Sequence, residues 1–318
     1  MGSLPSALRA ADKITVQGRP LGGILELHAE WLENRGGERA NLTNAVLAGL
    51  DLQRVNLRKA NIRGASFLES DLSQGDFSGC DFTQADFRNA RVVGADFRSS
   101  ILSKADFKRA WLAEANFSDA QLSECSFRNA ILRDCRMYGV RMETCDFTGA
   151  FLNGAQLHGA YALECNFGDA ELDKANFLNA RVHLSRFVAA RLRDAGFVSA
   201  QVHNCDFRSG QLHAAKFGDS DLTQSSFAHA ALPGSDFREA NLRAVDMGYA
   251  DLTDALFGGA QMMAADLRGA ILTGARQLTA RQLMQARTAQ GTVLPNGSRG
   301  PFLRGSGAEF PSRRTGDA

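Results

Sequence analysis

Large apolar side chains recur every five residues along this chain. In residues 105–127, ADFKRAWLAEANFSDAQLSECSF, they are Phe107, Leu112, Phe117, Leu122 and Phe127. Two residues before each stands something small: Ala105, Ala110, Ala115, Ala120 or Cys125. Helices repeat at about 3.6 residues and strands at about 2, so a period of five belongs to neither. The register runs from Leu42 to Leu272 without an insertion, and a fixed period sustained that far predicts a solenoid. Around each large residue, position i, the pattern is steady. Position i−2 is small, and i−1 is often Asp or Asn, as at Asp71, Asp76, Asp81, Asp86, Asp96, Asp106 and Asn116. Positions i+1 and i+2 are mixed and polar.

A second period of ten overlies the first. Phe67, Phe77, Phe87, Phe97 and Phe107 alternate with a set rich in leucine, such as Leu102, Leu112 and Leu122. One large inward side chain per five residues suits a coil of short extended faces joined by turns. A small i−2 residue lets the backbone pass beside its bulky neighbour. Asp or Asn at i−1 suits a corner, where a short polar side chain bonds nearby backbone.

These residues resemble the pentapeptide repeat family, whose signature is A(D/N)Lxx, over residues 40–275. The resemblance implies an all-β solenoid, a right-handed quadrilateral β-helix with four pentapeptides per coil. It implies about twelve coils and, at the roughly 4.8 Å spacing of paired strands, a length on the order of 55 Å. Residues twenty apart then stack, giving ladders Phe67–Phe87–Phe107–Phe127 and Phe77–Phe97–Phe117 on opposite faces, with leucine between. Departures are few. Val140 and Val245 overfill the small slot and precede the adaptable Met142 and Met247, and Leu50 and Val55 blur the first coils. Ala162 underfills a central slot, which predicts a local void or a shifted coil with Leu163 turned inward.

An open solenoid needs covered ends. Residues 21–34, LGGILELHAEWLEN, read as an amphipathic helix with Ile24, Leu25, His28, Trp31 and Leu32 near one side, stopped by Gly36-Gly37. The N-terminal cap is therefore 21–39, behind a flexible segment 1–20, and His28 is read as a residue of the cap. The C-terminal cap is 276–297. It opens with a capping box, Thr279 as N-cap and Gln282 as N3, with Leu278 and Leu283 placed for a staple. The GTVLPNG stretch resembles a tail that follows the last coil in this family. The Gly-, Ser- and Arg-rich residues 298–318 are expected to be disordered.

Composition narrows the class. The chain has 318 residues and a net charge of +1, which indicates no overall attraction to a polyanion. Direct nucleic-acid binding is not expected. No apolar run is long enough to span a membrane, and the start lacks a secretory pattern, so membrane association is not expected and the location is read as cytoplasmic. Gly2 and Ser6 fit the short N-myristoylation pattern. Cys80, Cys125, Cys135, Cys145, Cys165 and Cys205 all occupy the small slot, with no CxxC. They read as buried thiols rather than disulfides or metal ligands.

Nothing in the pattern converges on catalysis. No P-loop, HExxH or GxSxG occurs, and no cofactor or metal is expected. The stackable pair His183 and His203 lacks further ligands of the usual kind, and the i−1 aspartates recur too regularly to be catalytic. Two surface features stand out. Trp111, Ile131 and Phe151 occupy a slot that is often Asp or Asn elsewhere, one coil apart, with Tyr138 on the next face; they form the candidate interaction surface. Arg88, Lys108 and Arg128, with Arg109 beside them, form a secondary basic candidate, although Asp86 and Asp106 adjoin them. An apolar belt of Leu163, Leu178, Leu184, Val188 and Val198 spreads over several faces.

The resulting expectation is a non-catalytic, rigid protein–protein interaction scaffold, with an unidentified protein partner or a second copy bound through an end cap. Some members of the family mimic duplex DNA and bind DNA gyrase or related topoisomerases, inhibiting the enzyme or protecting it from quinolones. That mimicry needs dense negative charge. Residues 41–275 hold 28 Asp and Glu against 24 Lys and Arg, a weak imbalance, and no insertion supplies a projecting loop. A third expectation, a secreted effector, rests on the MGSLPS start alone.

Overall fold

The computed structural model describes residues 8–10 and 14–311. It divides into two compact units, one ending at Tyr161 and one beginning at Ala162. Each is a β-solenoid.

In the first unit, parallel bridges join i−1 residues twenty apart: Asn61↔Asp81, Asp86↔Asp106, Asp96↔Asn116 and Trp111↔Ile131. Four pentapeptides therefore make one turn. Corners form just after each large residue. At Phe107–Ala110 the Ala110 N–H donates to the Phe107 carbonyl at 3.0 Å, and Arg109 has φ 59°, the positive value that a type II turn requires at its third residue. The i−1 aspartate steadies the same corner: Asp86 Oδ1 accepts the Arg88 N–H at 3.0 Å. Inside, Phe107 stacks on Phe87 and Phe127 with centroids 4.5 and 4.9 Å away. It meets Phe97 of the opposite ladder edge-on at 6.0 Å, a preferred ring arrangement. Phe and Leu sites of the ladders are fully buried, each worth about 1.5–3 kcal/mol of apolar transfer.

The first unit begins with β1 (Arg9–Ala10), β2 (Thr15–Val16), β3 (Arg19–Pro20) and α1 (Leu21–Leu32). β2 and β3 pair antiparallel, and β1 pairs parallel with β4 (Leu50–Asp51). The described part of residues 1–20 is thus ordered, contrary to the flexible segment expected there, because it bonds to the first coil rather than following the five-residue period. The Gly2–Ser6 pattern lies outside the described residues. α1 ends at Leu32 and buries Leu21, Ile24 and His28. His28 Nδ1 accepts the Ala40 N–H at 3.0 Å, so this histidine joins the cap to the first coil.

Strands β5 (Gln121–Ser123) and β6 (Arg141–Glu143) pair in the first unit; β7 is Tyr161–Leu163; β8 (Arg181–His183) and β9 (Gln201–His203) pair in the second. Ala162 remains buried and Leu163 stays outward and half-buried, so the expected inward turn of Leu163 does not occur. In the second unit Phe167, Phe187, Phe207 and Phe227 stack 4.6–4.7 Å apart. Helix α2 (Ala280–Gln285) carries the Thr279–Gln282 capping box. Beyond it, Arg287 and Val293 bridge to Asp266 and Ile271. Residues 298–311, expected to be disordered, instead fold back: Gly300 N–H donates to Thr292 O, Phe302 N–H to Thr288 Oγ1, and Ala308 is buried. Residues 312–318 lie outside the described part.

Candidate interaction surface

Each pentapeptide turns i−1, i+1 and i+2 outward, so any surface is built of columns one coil apart. In the first unit one column runs Asp71, Arg91, Trp111, Ile131, Phe151 through successive bridges. The structure therefore brings Trp111, Ile131 and Phe151 together in adjacent coils, each half-buried rather than standing free in solvent. Two arginines complete the patch. The Arg91 guanidinium carbon lies 5.7 Å from the centre of the Trp111 ring, and that of Arg133 lies 5.7 Å from the Phe151 ring, within cation–π range. Arg91 Nε is 3.7 Å from Oδ2 of Asp71, whose carboxylate is 7% exposed. Sequence reasoning passed over Arg91 and Arg133; the available signal was Arg91 one coil before Trp111, and Arg133 two residues after Ile131. Tyr138 is exposed and pairs edge-on with His158 at 6.5 Å.

The basic candidate is largely neutralised where it stands. Arg88 bonds Asp86 at 2.8 Å, Lys108 bonds Asp106 at 3.2 Å, and Arg128 bonds Asp146 at 3.0 Å. Arg109 occupies a left-handed corner and is exposed. Partial burial pushes the Asp86 carboxyl up, but hydrogen bonds from the Arg88 side chain and backbone and its charge outweigh that and hold it below the usual range.

The small slot carries more than bulk. Leu50 N–H donates to Ser70 Oγ, which donates in turn to Leu47 O at 2.6 Å. Cys165 and Cys205 likewise donate their N–H groups to Ser185 and Ser225, and Cys125 Sγ donates to Leu102 O at 2.8 Å. The thiols and hydroxyls thus act as hydrogen-bonding partners to the backbone, which a reading of cysteine as a plain small apolar residue missed. Burial pushes the Cys80 and Cys205 thiols up to about 12, well away from the thiolate state that reactivity needs.

His183 and His203 lie one coil apart with ring centroids 5.1 Å apart, but they meet edge-on rather than stacked, and His203 Nε2 is 3.1 Å from Asp221 Oδ2. Burial and the neighbouring His203 lower the His183 pKa. Among the described residues no group of three or more His, Cys, Asp or Glu side chains is arranged to hold a metal ion. No helix there is long and apolar enough to cross a membrane.

Comparison with known families gives two matches. The family described as a pentapeptide repeat region matches residues 40–117, and that described as pentapeptide repeats (8 copies) matches 110–149, 150–187 and 220–259. Together they span more than half of the chain. Curated protein sequences yield no match. Among solved structures, the chain is similar to HetL, a pentapeptide repeat protein involved in heterocyst differentiation regulation from the cyanobacterium Nostoc sp. strain PCC 7120. Identity is 23%, covering 78% of this chain and 92% of that one, with a TM-score of 0.38. QnrB1, a plasmid-mediated fluoroquinolone resistance protein, is 20% identical over 74% of this chain and 91% of its own, with a TM-score of 0.26. A pentapeptide repeat protein of the Arabidopsis thaliana thylakoid lumen is 21% identical over 48% and 85%, with a TM-score of 0.18.

Proposed function

Since the chain belongs to the pentapeptide repeat family, we propose that it works without catalysis, as a rigid scaffold that docks another protein on the Trp111–Ile131–Phe151 column. The observation that carries this reading is the column itself: three large apolar side chains in successive coils, continuing a column that opens with Asp71 and Arg91, with Arg91 and Arg133 over the aromatic rings. Aromatic and arginine side chains are the types that dominate protein–protein contacts. Support against catalysis comes from the interior, which is filled by Leu and Phe, and from aspartates engaged at their own corners. The DNA-mimic reading has less support, because the acidic columns are interleaved with arginines that pair with them.

The test is affinity purification from the native cells, with Trp111→Ser/Phe151→Ser as the control. A partner that co-elutes with the native chain and is lost with the variant is the expected result. A set of co-eluting proteins identical for both forms would remove this column from the function. Recovery of topoisomerase subunits would replace the scaffold reading with the DNA-mimic one.

A further inference from the structure

Face and helix meet at the C-terminal cap around a groove of about 460 Å³, lined by Arg243, Gln261, Met263, Arg281 and Gln285 among others. That volume falls within the roughly 300–1,000 Å³ of small-molecule sites. No carboxylate is among the lining residues, although that of Glu239 packs against Gly259 at the edge of the groove. Elsewhere in the second unit Arg208 and Arg238, at i+1, sit on the aspartate two residues earlier, Asp206 at 2.7 Å and Asp236 at 2.6 Å, whereas Arg193, which follows Arg191, bonds Gln211. Before Arg243 the corresponding residue is the neutral Asn241, and one coil on it is Gln261. Asn241 Oδ1 accepts the Arg243 backbone N–H, while its amide donates to Thr223 Oγ1. Arg243 and Arg281 therefore have no carboxylate within 4.0 Å among the described residues. From Arg268 to Pro311 the one acidic residue is Glu309, against six arginines.

The walls are fixed before any ligand arrives. Gln282 Nε2 donates to Phe257 O at 2.7 Å and Ala260 O at 2.9 Å, and Ala264 N–H donates to Gln285 O at 3.0 Å. The capping box holds the other end of α2. Two exposed arginines with no described carboxylate within 4.0 Å thus line a preorganised groove, beside side-chain amides and the exposed Met263.

We propose that this groove binds a phosphate group carried on a larger ligand. The guanidinium fork matches phosphate in shape and charge, the glutamine amides add donors, and Met263 offers an apolar wall to the ligand body. The groove lies in the second unit, and the proposal does not depend on the Trp111 column.

The probes are inorganic pyrophosphate, followed by titration calorimetry of the full chain, and vesicles of phosphatidylglycerol or of phosphatidylcholine, followed by flotation. Arg243→Gln and Arg281→Gln are exposed changes whose folding is checked by circular dichroism. Saturable pyrophosphate binding, weakened about tenfold or more by each substitution, is expected for a soluble phosphorylated ligand. Flotation with phosphatidylglycerol alone, lost in both variants, would assign the same phosphate chemistry to a lipid headgroup. Absence of binding to either probe overturns the proposal, as does binding that both variants retain.

Discussion

At the scale of single residues, His28 shows how a polar side chain can serve a buried junction. It is fully buried, its Nδ1 accepts the Ala40 N–H, and Arg39 and Arg58 lie close enough to act on it. Burial lowers its pKa below 6.5, and the two arginine charges act in the same direction, against hydrogen bonding to backbone that favours the proton. The sign follows from linkage. The unfolded chain takes up the proton first as pH falls, so the stability of this junction is present above about 6.5 and declines below it. The urea midpoint of the native chain is expected to drop between pH 7.5 and 5.5. His28→Gln, which does not titrate, is expected to show a smaller drop between those pH values, whatever its midpoint at pH 7.5. An equal drop in both forms would place the titration elsewhere.

At the scale of the element, the five-residue coil is the part most legible in the sequence. Inward Phe and Leu had to recur at a fixed spacing, and the capping box at Thr279 depends on two side chains only, so both read directly. The turn chemistry was less visible. Its left-handed third residue accepts Arg109, Leu184, Ala214 and Tyr249 as well as glycine, so no single residue type announces it. The β2–β3 hairpin, which turns at Gln17–Gly18, and the folded 298–311 stretch have no five-residue period; the latter is held by bonds to residues 288–296. In the surface column, Trp111, Ile131 and Phe151 were legible from their spacing, whereas Arg91 and Arg133 were not, because their placement depends on which way a long side chain lies. The turn makes a prediction of its own. Ala214 has φ 55°, within a corner closed by Ala215 N–H to Leu212 O. A non-glycine residue there costs about 1–2 kcal/mol, while glycine adds back about 0.5–1 kcal/mol of chain entropy. Ala214→Gly should therefore stabilise by about 0.5–1 kcal/mol in urea denaturation. Gly159→Ala, at φ 64° with open space around the added methyl, should destabilise by a similar amount. Two changes of the same sign would show that corner strain does not set these energies.

At the scale of the whole chain, the repeated corner couples charge to stability. Net charge is only +1, yet aspartates recur at i−1 in both units, accepting an N–H from their own corner and often a side chain too. For Asp236 and Asp266 the bonds from Arg238 and Arg268 are the largest influence and lower the carboxyl pKa. For Asp206 burial acts first and upward, but Arg208 outweighs it. Because these values lie below 3.8 in the fold, the unfolded chain protonates first on acidification. Their contribution is complete above that value and is lost as pH falls through the folded values. The exposed ion pairs add little by themselves; the corner bond to backbone is what persists when they are screened. The triple change Asp206→Asn, Asp236→Asn and Asp266→Asn keeps an acceptor oxygen at each corner but removes the titrating group. It should leave circular dichroism at pH 7 unaltered and move the midpoint of acid unfolding to lower pH. An unmoved acid midpoint would locate acid sensitivity outside these corners. Loss of fold at pH 7 would show that the carboxylate charge itself, rather than an acceptor at i−1, is what each corner needs.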